Sequence, residues 1–552
     1  MLTKDRFLCF TVTALLIFSP VTVFCQLIEH NGFPRILPLT SNIVHPNSLT
    51  FNYTKNGNPV IAASTMFDVA LYSLDGVILP GWSVTFNNPF VGAGPVLGDV
   101  DGDGELEIVV ALRDRSAKHR EFVVLNIDGN EKKNWRKKYD LETGVISSPV
   151  LVNLDNDKDN TVEIIFIADS LYVMYGNGED FPGFPWKIEG EPHFTSGPVS
   201  ATGDGWEEPV LIWLSNVENK SELNVRSVFS GKNITGFPVR FKKTAYSITP
   251  VIIQMEKDWC VVAGYADSIY VFQSNGKIKE GFPFHPFYEM PNRTLQTLSV
   301  GDIDGDGQPD LVFNIMDKYL HAVNLDGEYL SGFPFVIGTN GRGEPCAIIR
   351  DAVSDSALIF TGSQPDSLWY NELYGLRYNE ILEGFPLNFL IRKPNSSVAL
   401  LPPVNDTLHL VYSTNNGIID VWDIPIKGRG SSIEWAMEGS SPGGNRIYKV
   451  NDHKILDCDQ TKFKMESSPV YSSYKSGIAS FTVMPESTGE VEVFIYHVNG
   501  TLVWYDSCPV WAGYRRRIEW CQLDLDDNPV GCGIYFVKVR GAKTFYRKLI
   551  IN

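Results

Sequence analysis

Residues 302–310 limit what this chain can become more than its length does. They read Asp-Ile-Asp-Gly-Asp-Gly-Gln-Pro-Asp and run directly into the apolar segment Leu311-Val312-Phe313-Asn314-Ile315. Acidic side chains at positions 1, 3, 5 and 9 of a tight glycine-containing turn can converge on one hard cation, with a backbone carbonyl near position 7 completing the shell. The pattern predicts a calcium loop with Asp302, Asp304, Asp306 and Asp310 as ligands. An earlier copy places Asp99, Asp101, Asp103 and Glu107 at the same positions, followed by Ile108-Val109-Val110-Ala111-Leu112. An EF-hand shares the opening but needs flanking helices and a Glu at position 12, where this chain has Val110 and Phe313 inside strand-like runs. Four carboxylates on so small a loop repel one another without a cation, so the spacing favours an ion over a bare acidic turn.

The loops belong to a longer period. Gly-Phe-Pro or a variant recurs at Gly32, Gly81-Trp82, Asn134-Trp135, Gly183, Gly236, Gly281, Gly332, Gly384 and Glu434-Trp435, at intervals near 50 residues. A short strand pattern and an Asx-Gly turn precede many of these markers, as in Ile269-Tyr270-Val271-Phe272 before Asn275-Gly276, which is a hairpin signal. Upstream of the hairpin, Gly94-Pro95-Val96 leads into the loop at Asp99, and Ser148-Pro149-Val150 leads into a related loop at Asn153, Asp155, Asp157 and Glu163. That third loop departs from the pattern: Asn at position 1, Lys158 for the usual Gly, and two extra residues before Glu163. Calcium is expected there more weakly. One repeat therefore carries about four strands, and such a unit buries its faces only by packing on neighbours, as blades do in a ring. The fold expected is an all-β, seven- or eight-bladed β-propeller, with eight favoured because nine markers enclose eight intervals.

These repeats resemble the FG-GAP/VCBS-type family, whose calcium loops also occur in the propeller of integrin α subunits. The resemblance covers residues 37–436 and is most specific at Asp99 and Asp302. It implies structural calcium as the cofactor and a binding or adhesion role. Some calcium-containing propellers resembling this one are lyases acting on acidic pectin-like glycans, so a calcium-dependent polysaccharide lyase is the alternative. Lys243 or His285 would then be the basic residue to examine.

Composition and the chain ends set the compartment. A formal charge of −18 argues against a nucleic-acid partner, which calls for clustered Lys and Arg. Residues 1–25 carry Lys4 and Arg6, an apolar run from Phe7 to Phe18 and a short tail ending at Cys25. That is a signal-peptide pattern, with an apolar core too short to favour a membrane span. Residues 26–36 read as a lead-in strand. No other apolar run approaches the length of a span, so no transmembrane segment is expected in the mature chain. The six cysteines beyond the signal, Cys260, Cys346, Cys458, Cys508, Cys521 and Cys532, show no zinc spacing; disulfides and free thiols both remain open.

The period stops after Trp435. Residues 437–465, with Gly439-Ser440-Ser441-Pro442-Gly443-Gly444, read as a linker. Residues 466–552 show short strands separated by turns, the pattern of a small immunoglobulin-like β-sandwich. Ser468-Pro469-Val470, Tyr496-His497-Val498-Asn499-Gly500, Trp520, Gly533-Ile534-Tyr535 and the terminal Lys548-Leu549-Ile550-Ile551-Asn552 resemble the type IX secretion (Por-type) C-terminal sorting domain. The resemblance implies outer-membrane secretion machinery as a partner and a secreted or cell-surface location, with an extracellular protein or glycan as ligand. Of the motifs that announce catalysis, the chain has no Gly-x-Ser-x-Gly, no His-Glu-x-x-His, no phosphate loop and no dinucleotide fingerprint. The nine His residues are scattered, and no neighbouring motif supports His193, His285 or His321 as a general base. No catalytic residue is assigned.

Overall fold

The structure is a computed structural model of the 552-residue chain. It describes most of residues 28–459 and parts of 470–551, leaving out 1–27, 37–48, 460–469 and shorter segments. The expected signal peptide therefore lies outside the described residues. Every described element is a β-strand, and no helix among the described residues is long and apolar enough to cross a membrane.

Among the described residues of 28–459 there are eight sheets. The sixth shows the plan: Thr297–Gly301, Asp310–Asn314, Tyr319–Val323 and Phe335–Val336 form an antiparallel meander. Alternate residues of each strand face opposite neighbours, as the two-residue period of a strand requires. Ile108 packs with Val60 of the first sheet, while Val109 packs with Phe166 of the third. Ile165 then meets Trp213 of the fourth, and Ile212 meets Val261 of the fifth. Val262, Leu311 and Ile348 join the fifth, sixth and seventh. Phe360 meets Leu410 of the eighth, and Val411 returns to Ile61 and Tyr72 of the first. The succession closes on itself, which makes the fold a β-propeller.

Closure uses both ends of the region. Ile28–Glu29 and Arg35–Ile36 pair with Ile418–Pro425, so the first marker, with Phe33 buried, completes the last sheet. The segment expected as a linker contributes strands of its own. Ile447–Lys449 pairs in parallel with Val251–Gln254 of the fifth sheet, and Ile455–Asp459 pairs with Lys427–Trp435, which extends the seventh.

The period has a steric basis. Gly81, Gly236 and Gly281 adopt positive φ, and a Cβ on them would meet the turn carbonyl of Asp128, Asn275 or Asp326 at 1.8–1.9 Å. These three marker glycines thus tuck against the Asx-Gly turn of the next sheet, where no side chain fits.

The C-terminal region has a five-stranded sheet, in which Val470–Ser472 runs parallel to Thr544–Ile551, and a two-stranded sheet of Ala479–Val483 with Arg516–Trp520. Buried Trp520 of the smaller sheet packs edge-on against Tyr535 of the larger, ring centroids 5.7 Å apart. Two facing sheets agree with the expected β-sandwich. The side chains of Cys458, Cys508, Cys521 and Cys532 lie outside the described residues; Cys260 and Cys346 are free, buried thiols.

Candidate metal loops and their surroundings

The loop at Asp99 joins Val96–Gly98 to Glu107–Arg113 and the loop at Asp302 joins Thr297–Gly301 to Asp310–Asn314, and their backbones are held the same way. Asp99 accepts hydrogen bonds from Gly102 N at 2.7 Å and Gly104 N at 2.8 Å. Asp302 accepts from Gly305 N at 2.9 Å and Gly307 N at 3.0 Å. All four glycines have positive φ, which explains Gly at these positions. The last acid of each loop is the buried first residue of the following strand, and its carboxylate accepts from the backbone of loop position 2. Val100 N reaches Glu107 Oε2 at 3.0 Å and Ile303 N reaches Asp310 Oδ2 at 2.9 Å. The third loop keeps this bond, Leu154 N to Glu163 Oε2 at 2.7 Å. Asn153 and Asp155 are placed beside it, whereas Asp157 lies outside the described residues.

Carboxylate oxygens of Asp99, Asp101 and Glu107 come within 4.8 Å of one another, as do those of Asp302, Asp304 and Asp306. Asp103 stands outside the first group, its Oδ1 accepting from Glu105 N at 2.7 Å. Asp310 stands outside the second, turned toward Ile303 N. Hard oxygens in such groups suit calcium by donor chemistry.

The surroundings of the two loops differ. Lys132, on the outer strand Glu131–Asp140, reaches into the first loop and bonds Asp101 and, at 3.2 Å, Glu107. Burial alone would lower the Lys132 ammonium, but these two carboxylates hold it above its usual value. Burial still pushes Glu107 up to about 7. In the second loop Arg350 pairs with Asp302 Oδ2 at 2.8 Å. Among the described residues no lysine or arginine pairs with Asp304, Asp306 or Asp310. Burial, reinforced by the Asp304, Asp306 and Asp302 charges, pushes Asp310 up to about 8, and burial also raises Asp302. Uncompensated negative charge of this kind is what a bound cation relieves.

Each loop is also tied to the next sheet. Val162 N donates to Asp99 O at 3.3 Å, and Ala357 N donates to Ile303 O at 3.1 Å. The first loop borders an open pocket of about 630 Å³ that Asp101, Asp103, Glu105, Glu107, Asp128 and Lys132 help to line.

The residues weighed for proton transfer sit elsewhere. His285 Nδ1 lies 2.7 Å from Ser268 Oγ, on the fifth sheet, away from the strands that carry the acidic loops. His321 is fully buried, stacked on Phe313 with its Nδ1 2.9 Å from Tyr329 Oη. Lys243 and His193 lie outside the described residues. Sequence reasoning missed Lys132 and Arg350, whose distance along the chain from the loops they serve gives no local signal.

Comparison with solved structures returns propeller proteins at low identity. BBS1N in complex with ARL6DN has 10% identity and a TM-score of 0.39, covering 60% of this chain and 91% of that one. The Dos1 propeller has 11% identity and a TM-score of 0.42, covering 72% and 95%. Dihydro-heme d1 dehydrogenase NirN in complex with DHE has 12% identity and a TM-score of 0.39, covering 72% and 76%. No protein-family model matches the chain, and no curated protein matches it.

Proposed function

We propose that this chain is a secreted or cell-surface binding or adhesion module whose FG-GAP/VCBS-type propeller is stabilised by calcium and whose residues 466–552 direct its sorting through a type IX machinery. The observation that carries the calcium part is the matched construction of two acidic loops, each hydrogen-bonded through its glycines and its terminal buried acid, and each tied to the following sheet. Asp302, Asp304 and Asp306 would hold one ion, with Asp310 bracing the loop. Asp99, Asp101 and Glu107 would hold another only as Lys132 withdraws. The ion in this reading staples strand to strand and sheet to sheet. Recognition is left to the loops at the rims of the ring, and the ligand class is an extracellular protein or glycan.

The test is the location of the full chain in its native cell, with and without residues 466–552. Protease added outside intact cells should digest the full-length protein, and the truncated form should be protected in the periplasm. Equal accessibility of both would remove the sorting assignment. Incubation of the purified protein with uronic-acid polysaccharides should yield no unsaturated product; a calcium-dependent rise would replace the binding role with the lyase one.

A further inference from the structure

His30, His409 and Asp423 come together from two neighbouring strands and the residue just past a third, although 393 residues separate His30 from Asp423. His30 follows the strand Ile28–Glu29, which pairs with Ile418–Pro425, and His409 lies directly across from Asp423 in the register of the next pair. His30 Nδ1 is 2.6 Å and His409 Nδ1 2.7 Å from the same oxygen, Asp423 Oδ1. The imidazoles meet edge to face with centroids 5.0 Å apart. His409 is 3% exposed and its Nε2 finds no hydrogen-bond partner among the described residues, so that ring is held from the Asp423 side. The His30 and Asp423 side chains remain 17% and 23% exposed, which leaves a way in from solvent.

We propose that His30, His409 and Asp423 bind a single divalent transition metal of the zinc type, which latches the N-terminal strand onto the last sheet of the ring. The donor set differs in kind from the acidic loops. Two imidazole nitrogens and one carboxylate oxygen suit zinc, which uses such triads with water in the fourth position, whereas calcium prefers oxygens alone. A tetrahedral ion with bonds of about 2.0 Å spaces its donors about 3.3 Å apart. The triad would open slightly from its present spacing, a movement within reach of small side-chain rotations. Binding requires both Nδ1 atoms unprotonated, so each neutral ring carries its hydrogen on Nε2, which leaves a buried donor without a described partner on His409, and affinity falls at low pH. Placing the site at ring closure gives it leverage, since the ion ties chain segments almost 400 residues apart.

The test uses the full chain with excess calcium present, so that the acidic loops are occupied, and cobalt(II) as the probe. Visible d–d bands of tetrahedral intensity are expected, with an X-ray absorption shell containing two imidazole ligands. His30→Gln and Asp423→Asn should each weaken cobalt binding at least ~10-fold. A wild-type shell made only of oxygen, or one containing sulfur, overturns the proposal without any variant. So does undiminished binding by folded His30→Gln. A triad that only hydrogen-bonds would give no cobalt spectrum at all.

Discussion

The loops at Asp99 and Asp302 share spacing, glycine geometry and the bond from position 2 to the terminal acid, yet their charges are balanced differently. The first has its own cation, Lys132, set between Asp101 and Glu107. The second has a guanidinium on Asp302 and leaves Asp304, Asp306 and Asp310 without a described ionic partner. The same backbone design can therefore rest on an internal ammonium or wait for an external ion. Dependence on calcium should concentrate at the second loop.

Removing the first acid of each loop should give the largest effect and an unequal one. Asp302→Ala strips acceptors from two loop amides and removes the carboxylate that Arg350 pairs with, at a cost of about 3 kcal/mol. Asp99→Ala strips two amides alone, at about 2 kcal/mol. Urea unfolding in calcium-free buffer measures both, and equal losses would mean that the guanidinium contributes nothing. Lys132→Met comes next. Without calcium it should cost about 1–2 kcal/mol by leaving Asp101 and Glu107 unneutralised. With calcium the loss should vanish, and titration should show first-loop affinity improved about tenfold, equivalent to about 1.4 kcal/mol. Unchanged affinity would show that the ammonium does not stand in the ion's place.

The buried acids also predict a pH slope. Burial lifts Asp310 from an ordinary 3.8 to about 8 and Glu107 from 4.5 to about 7. A carboxyl raised in the folded state binds its proton more tightly folded than unfolded. Its contribution to stability is therefore full below about pH 4 and is lost as pH climbs through 7 to 8. The metal-free protein should lose denaturant resistance over that window, and Asp310→Asn should flatten the decline. A slope identical in the variant would assign the decline to other groups.

The ring was legible because its signals are local and repeated: an Asx-Gly turn, a marker glycine that must fit beneath the next turn, and β-branched runs facing two ways. The acidic loops were legible for the same reason, the four acids of each strong loop lying within nine residues. What could not be read was whatever crosses the chain. Lys132 is 31 positions from Asp101 and meets it only through the hairpin of its sheet. Ile447–Lys449 looked like part of a linker because nothing in three residues announces a parallel partner nearly 200 positions away. The pair of histidines on Asp423 matches no spacing rule because ring closure alone brings them together.

Thermal unfolding of the full chain tests most directly whether the loop at Asp302 is a calcium staple of the propeller. A higher midpoint is expected with calcium than after exhaustive chelation, with most of the difference lost in Asp304→Asn and retained in Asp101→Asn. A midpoint indifferent to calcium in the wild-type chain would contradict it.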